Sequence, residues 1–402
     1  MSQITKSKTA AIIAEYNPFH NGHAFHISRA KEVTGAENVV VIMSGNFVQR
    51  GDCAIVDKFS RTRMALAGGA DLVLELPLPF ACAGAEKFAL GGVTIADALG
   101  GVDCLAFGME CGDTRHLINA ANAVDDERLR SALDKHLSEG KLFAAARTEA
   151  VRELYGDDAA EILCSPNNTL AVEYIRALKR LNSDIIPVGI SREGAEHNSV
   201  ETSGRFASAT AIRRMLINGE NDSSAKFMPD TSVEILHRCA ANGTAPADLK
   251  TCERAILARL RGMTREQLAR LPDISEGLEN RIYDCARTAS SLAELYDSIK
   301  SKRYSHARIR RIILSAFIGI RETHTQSVPY IRILGMNGQG RELLSRAKPS
   351  LPLISSYKHV QKLPQEARSI YMLECYADDM WALMTPKIQP CGSDMSEKLI
   401  VI

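Results

Sequence analysis

The sequence predicts an α/β protein, with a doubly wound parallel sheet over residues 1–219 and a mainly helical domain over 220–402. Three observations carry this expectation. Five short apolar or β-branched runs recur between Thr9 and Ile190, helical stretches separate them, and beyond about Gly219 the strand pattern gives way to helical periodicity.

Thr9 to Ala14 has the length and composition of a buried parallel strand, and Asn17-Pro18 ends it near Tyr16, because proline fixes φ and donates no hydrogen bond. Ala24, Ile27, Ala30 and Val33 then recur at helical spacing, with Gly35 as the stop. Further strands are expected at Val39–Met43, Leu72–Leu76, Cys104–Phe107 and Ile185–Ile190, and Pro187 puts the last at an edge or bulge. Lys58–Ala67, Ala85–Leu99 and the insert Thr114–Tyr155 read as helices. Downstream, helices are expected at Val233–Ala241, Asp248–Leu260, Arg265–Leu271, Leu278–Thr288 and Ser291–Ile299, with a domain boundary in Asn218–Ser224.

Composition sets the outer limits. A chain of 402 residues holds two domains or three, and 45% hydrophobic with 24% charged residues is ordinary for a globular protein. The net charge of +1 excludes a global bias toward nucleic acid, so any basic footprint is local. Ten cysteines occur singly, without a C-x-x-C, and no apolar segment precedes Thr9, so a cytoplasmic location is expected. No apolar run approaches the ~20 residues of a membrane span, and the chain has no low-complexity tract or internal repeat.

Parallel sheets of this kind bind ligands beyond the carboxyl ends of their strands. That rule gathers His20 and His23, Ser44–Asn46, Gly108 with Glu110, and Ser191-Arg192. His20-Asn21-Gly22-His23 sits where a strand passes into a helix N-terminus, whose N–H groups and partial positive charge suit an anion, and Gly22 allows close approach. Two imidazoles there can stabilise charge developing on phosphate. A zinc site and a purely structural turn are the rival readings, but no third metal ligand follows.

Other segments supply candidate partners. Lys58 and Arg61, three apart, could share a helix face that neutralises phosphate, or simply be solvated. Ser165-Pro166-Asn167-Asn168 opens a helix with Ser165 as N-cap; its amides either complete the cap or read a ribose or base edge. Ser208, Thr210 and Arg213 begin another helix and form a second phosphate cradle. Lys300, Lys302, Arg303, Arg308, Arg310, Arg311 and Arg321 make a basic run with Tyr304 and His306 among them. RNA phosphates with bases stacked on Tyr304 and His306 are one reading; a helix with an exposed cationic face, burying Ile309, Ile312, Ile313 and Ala316, is the other.

The pair H-x-G-H and S-x-T-x-x-R resembles the signature of the adenylyl-transferring nucleotidyltransferase superfamily, related to the catalytic domains of class I aminoacyl-tRNA synthetases. EYNPFHNGH, with MSGNFVQRG, ELP, FGMECGD, SPNN, SATAIR and PYIRILGM, resembles one family more closely, the bacterial tRNA(Met) cytidine acetate ligases. The resemblance runs from Ala10 to about Met336. It implies a Rossmann-like nucleotidyltransferase domain with a helical tRNA-binding domain behind it, acting with ATP on acetate and on N4 of the wobble cytidine of elongator tRNA(Met). Carried over by residue, it implies ATP contacts along Ile13, Ala14, Glu15, Tyr16, Asn17, Pro18, Phe19, His20, Asn21, Gly22, His23 and His26, and at Gly108, Asn167 or Asn168, and Arg192. Magnesium is expected to arrive held mainly by phosphates and water, and no membrane or protein partner is inferred. Two alternatives stay open: a small-molecule nucleotidyltransferase with a helical oligomerisation domain, and an RNA-binding protein with a regulatory nucleotide site.

Overall fold

The computed structural model describes residues 8–191, 202–204, 206–275, 277–301 and 304–402. Its centre is an eight-stranded sheet. Seven strands run across it in the order Leu353–Ile354, Ile331–Met336, Leu72–Leu76, Asn38–Ser44, Thr9–Ala14, Cys104–Met109 and Ile186–Ser191, and Ile400–Val401 pairs with the end of the 331–336 strand. The five strands expected from the sequence form one parallel block. Pro187 lies on its edge strand, where a missing N–H costs no ladder bond.

Alternation along the strands divides the core into two layers. Ala11, Val40, Ile42, Leu72 and Leu74 meet Phe88, Val93, Val172 and Ile175 on one face. Ala10, Ile12, Val39, Val41 and Met43 meet Ile27, Ala30, Met64 and Ile212 on the other. Both faces are covered, so these strands read as continuous apolar runs.

Helices Lys58–Ala67 and Ala85–Leu99 have the expected bounds, and the insert contains Thr114–Val124, Arg128–Ser138 and Phe143–Tyr155. Gly35, at φ 65°, ends the first helix in the left-handed conformation, which glycine adopts without a Cβ penalty. Ser165 stands at the N-cap of Pro166–Arg180 but makes no capping hydrogen bond there, a departure from expectation.

Between Asn221 and Thr325 the described residues are mainly helical, and their core around Ile256, Leu260, Ile282, Leu295, Ile309 and Ile313 also takes in Phe47, Leu78 and Trp381. The chain then returns to the sheet. Ile331–Met336 joins antiparallel to Leu72–Leu76, so the segment after residue 220 completes the sheet begun by the first half. Helix Gln365–Ala382 closes the junction: Trp381 Nε1 donates to the Ala54 carbonyl at 2.7 Å, and Glu374 accepts from Leu78 N–H at 3.2 Å and from the Tyr330 hydroxyl at 2.8 Å.

Beneath this junction lies a buried ionic cluster. Lys58 Nζ contacts Glu75 and Asp378 at 2.8 Å each and Asp394 at 2.5 Å, while Arg332 pairs with Glu75 at 2.9 Å and Asp394 at 2.7 Å. Burial disfavours the Lys58 ammonium, but three carboxylates outweigh it and hold its pKa well above normal. Asn46 belongs to the same cluster, accepting from Lys58 N–H at 2.6 Å and donating to Asp378 at 2.9 Å.

Candidate active site

At the carboxyl ends of the parallel strands the chain encloses a cleft of about 270 Å³. The end of the first strand supplies Ile13 and Ala14, the loop after it Glu15, Tyr16, Asn17 and His20, and the helix that follows Gly22, His23 and His26; Gly108, Asn167, Ser191, Ser208 and Arg213 come from other strand ends and helix starts. Residues far apart in sequence are thus brought together by the sheet.

His20 caps the Asn21–Thr34 helix, and its Nδ1 accepts the Gly22 N–H at 3.0 Å. His23 Nδ1 accepts the His20 N–H at 3.3 Å. Each Nδ1 uses its lone pair, so in the neutral rings the proton sits on Nε2, and each Nε2–H is a donor. The two rings stack with centroids 3.7 Å apart, and Tyr16 supports His23 at 4.7 Å. Tyr16 is itself fixed in the left-handed region at φ 49°.

This geometry corrects one expectation. The first-turn N–H groups are not available to an anion: Asn21 N–H goes to the Phe227 carbonyl, Gly22 N–H to His20 Nδ1, and His23 and Ala24 N–H both to the His20 carbonyl. A Cβ on Gly22 would lie 2.9 Å from His20 Cε1. Gly22 therefore makes room for an imidazole and not for a phosphate, leaving the side chains and the helix dipole to meet the anion.

The second cradle is built from helix Ala209–Ile217. Ser208 caps it through the Ala211 N–H at 3.1 Å, and Arg213 is held by the Asn17 carbonyl at 2.8 Å and Thr210 Oγ1 at 3.0 Å. Burial lowers the pKa of Arg213, yet a guanidinium stays charged at neutral pH. Thr210 lines an adjoining cavity, not the cleft itself.

Several expected residues lie elsewhere. Lys58 and Arg61 are both fully buried; Lys58 is occupied by its three carboxylates, and Arg61 donates to the carbonyls of Val56, Glu15, Ser44 and Gly45, its pKa lowered to about 10 by burial. Neither lines the cleft. Arg61 instead ties the loop after the first strand to the loop after the second. Ser44–Asn46 is buried in that packing. Pro18 and Phe19 are buried behind the loop, and Asn21 reaches the Lys226 carbonyl at 3.3 Å. Of the two amides, Asn167 lines the cleft and donates to Glu110 at 2.5 Å, whereas Asn168 is buried and accepts the Glu110 N–H at 2.8 Å. Arg192, Lys302 and Arg303 lie outside the described residues.

Sequence reasoning assigned no role to Gln49, Arg50, Phe25, Phe88, Phe107, Leu170 or Tyr174, all of which line the cleft. The apolar ones read as ordinary core, and only the fold reveals their second role. Arg50 could have been flagged from the string MSGNFVQRG.

In the basic run, Arg308 donates to the Asp273 carbonyl at 2.9 and 2.7 Å and to Ser275, and Arg311 pairs with Asp273 at 3.2 Å. Tyr304 is buried. The expected buried face, Ile309, Ile312, Ile313 and Ala316, is buried. Lys300 is exposed at the end of helix Leu292–Ile299.

No helix among the described residues is long and apolar enough to cross a membrane, and none of their His, Cys, Asp and Glu side chains form a metal-holding group of three. The cleft offers imidazoles, amides, hydroxyl and guanidinium groups with Glu15 as its one carboxylate among the lining residues, a set that suits a polyanion better than a bare divalent cation.

A parallel sheet with a paired-histidine turn and a hydroxyl–arginine helix start defines a nucleotide-binding protein of the nucleotidyltransferase class. The family model described as HIGH Nucleotidyl Transferase matches residues 7–395. The tRNA(Met) cytidine acetate ligase of a Thermoanaerobacter species is 38% identical over 97% of this chain and 98% of its own, and that of Caldicellulosiruptor saccharolyticus is 40% identical over 94% of each. Among solved structures, Thermotoga maritima TmcAL without ligand superposes with a TM-score of 0.93 at 34% identity, covering 98% of this chain and 99% of that one. The form bound with alpha-thio ATP gives 0.91 at 33%, covering 98% and 100%. The chain belongs to the tRNA(Met) cytidine acetate ligase family of HIGH nucleotidyl transferases.

Proposed function

We propose that this protein is an ATP-dependent ligase that activates acetate as acetyl-adenylate and transfers the acetyl group to N4 of the wobble cytidine of elongator tRNA(Met), releasing AMP and pyrophosphate. The observation that carries the reading is near-full-length similarity to ligases of that name, together with a cleft that gathers His20, His23, Ser208 and Arg213.

The chemistry needs activation because oxide is a hopeless leaving group from acetate, whereas AMP is a good one. An acetate oxygen attacks the α-phosphorus of ATP, and the bond to the β-phosphate oxygen breaks with its electron pair on pyrophosphate. Donors aimed at the charge that develops there lower the barrier. His20 and His23 serve through Nε2, and Arg213 serves as a fixed cation held by Asn17 and Thr210. Magnesium, where present, comes with the nucleotide and adds charge neutralisation. The cytidine amine then attacks the acetyl carbonyl and displaces AMP.

In this reading residues 1–219 form the adenylate, and the helical part of 220–402, with Lys300, Arg308, Arg310 and Arg311, holds the tRNA. ATP and tRNA are cytoplasmic substrates, so we assign the enzyme to that compartment. The test incubates the protein with ATP, acetate and unmodified elongator tRNA(Met), digests the RNA and measures N4-acetylcytidine by mass spectrometry. ATP-dependent acetylcytidine is expected. Its absence, or acetylation without ATP, overturns the reading; an AMP-linked small product would instead favour a small-molecule nucleotidyltransferase.

A further inference from the structure

Beside the cleft lies a second cavity of about 320 Å³, and the two share the walls Glu15, Asn17, Arg50 and Arg213. Three elements complete it. Asp52 comes from the two-stranded hairpin Phe47–Val48 and Asp52–Cys53, Arg214 from helix Ala209–Ile217, and Arg310 from helix His306–Ile318. Arg310 carries the basic run into the wall of this cavity.

The mixture of charges decides what this cavity suits. Four guanidinium groups ask for an anion, but Asp52, which lines this cavity and not the cleft, would repel pyrophosphate. A nucleotide of RNA satisfies both demands, since its phosphodiester meets arginine while the exocyclic amine of cytosine donates to a carboxylate. Glu15 is already engaged, with Oε1 accepting the Gln49 N–H at 2.9 Å. The Asp52 carboxyl is held by the Cys53 N–H at 2.9 Å, on the wall that faces the helical half.

We propose that this second cavity receives the acceptor cytidine and that Asp52 takes the proton from its amine during acetyl transfer, an inference that rests on the ligase reading above. The amine lone pair is delocalised into the pyrimidine, so the nitrogen is a weak nucleophile until a proton leaves. As the nitrogen–carbon bond forms, the carbon–oxygen bond to AMP breaks with its electron pair on the AMP phosphate, and one amine proton passes to the Asp52 carboxylate and then to water. Adenylate formation transfers no such proton and does not need this carboxylate.

Burial raises the pKa of Asp52; the Cys53 N–H, Arg310 and Arg213 pull it down, and Asp248 pushes it up. Glu15, Arg50 and Arg214 also line the cavity. The acetyl-transfer rate therefore has an acidic limb set by this group.

The experiment uses the full chain and two readouts: acetate-dependent ATP–pyrophosphate exchange for the first step, and single-turnover acetyl transfer to unmodified tRNA(Met) across a pH series for the second. Asp52→Asn is expected to slow transfer about 10²-fold, at least ten times more than it slows exchange, and to abolish the acidic limb. Asp52→Glu is expected to restore part of the rate and a shifted limb. Transfer by Asp52→Asn within threefold of wild type overturns the inference, as does an equal fall in transfer and exchange, which marks a structural role. Wild-type protein that exchanges pyrophosphate but never acetylates the RNA overturns the ligase reading beneath it, a failure visible before any variant is made.

Discussion

The rings of His20 and His23 stack at 3.7 Å, 25° from parallel, and each accepts a backbone N–H at Nδ1 within a single helical turn. The turn satisfies its own backbone donors with imidazole nitrogens, and the chemistry falls in consequence to the outer nitrogens. His23→Ala should therefore slow adenylate formation by on the order of 10²-fold, as for loss of one preorganised donor. Pyrophosphate exchange measures the loss, and tRNA affinity should be retained. Weak tRNA binding with normal exchange would contradict this assignment.

Gly22 gives a sharper test of the same turn. A methyl group there would lie 2.9 Å from His20 Cε1 and 3.1 Å from Nδ1, so Gly22→Ala must displace the imidazole it supports. We expect exchange to fall at least tenfold while the protein stays folded. Gly338 stands at the start of helix Gly338–Arg346, and a methyl group added to it would meet nothing within 4 Å. Gly338→Ala should stabilise the fold by about 0.4–1 kcal/mol with activity unchanged. Urea unfolding of both variants separates the two cases.

The parallel strands were legible because strands buried on both faces leave uninterrupted apolar runs such as Val39–Met43. Ile331–Met336 was not read as a strand, because Arg332 interrupts it and its counter-charges lie at Glu75 and Asp394, far away in sequence. Lys58 and Arg61 misled for a related reason. Their spacing is that of a solvated helix face, and only Asp378 and Asp394, more than 300 residues on, show Lys58 to be interior. The histidine pair could be found from its motif. The aromatic lining Phe88, Phe107 and Tyr174 could not, since nothing local separates it from core.

Lys58 supplies the third prediction. Lys58→Met would leave Glu75, Asp378 and Asp394 buried with Arg332 as the remaining cation beside them. Breaking a buried ion pair by removing one partner costs about 3–5 kcal/mol. Equilibrium unfolding should show a loss of that order. A stable variant with a raised KM for ATP would restore Lys58 to the phosphate site.

The same cluster makes stability depend on pH. Burial and the neighbouring Glu75 raise the Glu374 pKa from 4.5 to about 8. An acid raised in this way favours the folded state fully below its unfolded pKa, and the contribution is lost as pH rises through 4.5 toward 8, on the order of a few kcal/mol. Unfolding free energies of wild type at pH 6 and pH 9 should therefore fall with pH more steeply than those of Glu374→Gln, whose amide keeps the shape and cannot ionise. Parallel curves for the two proteins would mean that Glu374 is already charged at neutral pH.

Arg308, Arg310 and Arg311 are not equivalent, although the sequence presents them as one basic run. Arg308 is tied to the Asp273 carbonyl and Ser275, and Arg311 to the Asp273 carboxylate, so both are partly engaged in holding the 273–275 segment. Arg310 has no ion pair among the described residues; it lies 5.3 Å from the Tyr296 ring and lines the second cavity. If RNA phosphate is what this helix meets, Arg310→Ala should weaken tRNA binding and reduce the slope of log affinity against log salt by about one. Arg308→Ala should change that slope less and lower stability instead. Anisotropy titrations from about 50 to 200 mM salt resolve slopes of that size, and an unchanged slope for Arg310→Ala would remove it from the interface and leave the exposed Lys300 and its neighbours to account for any binding.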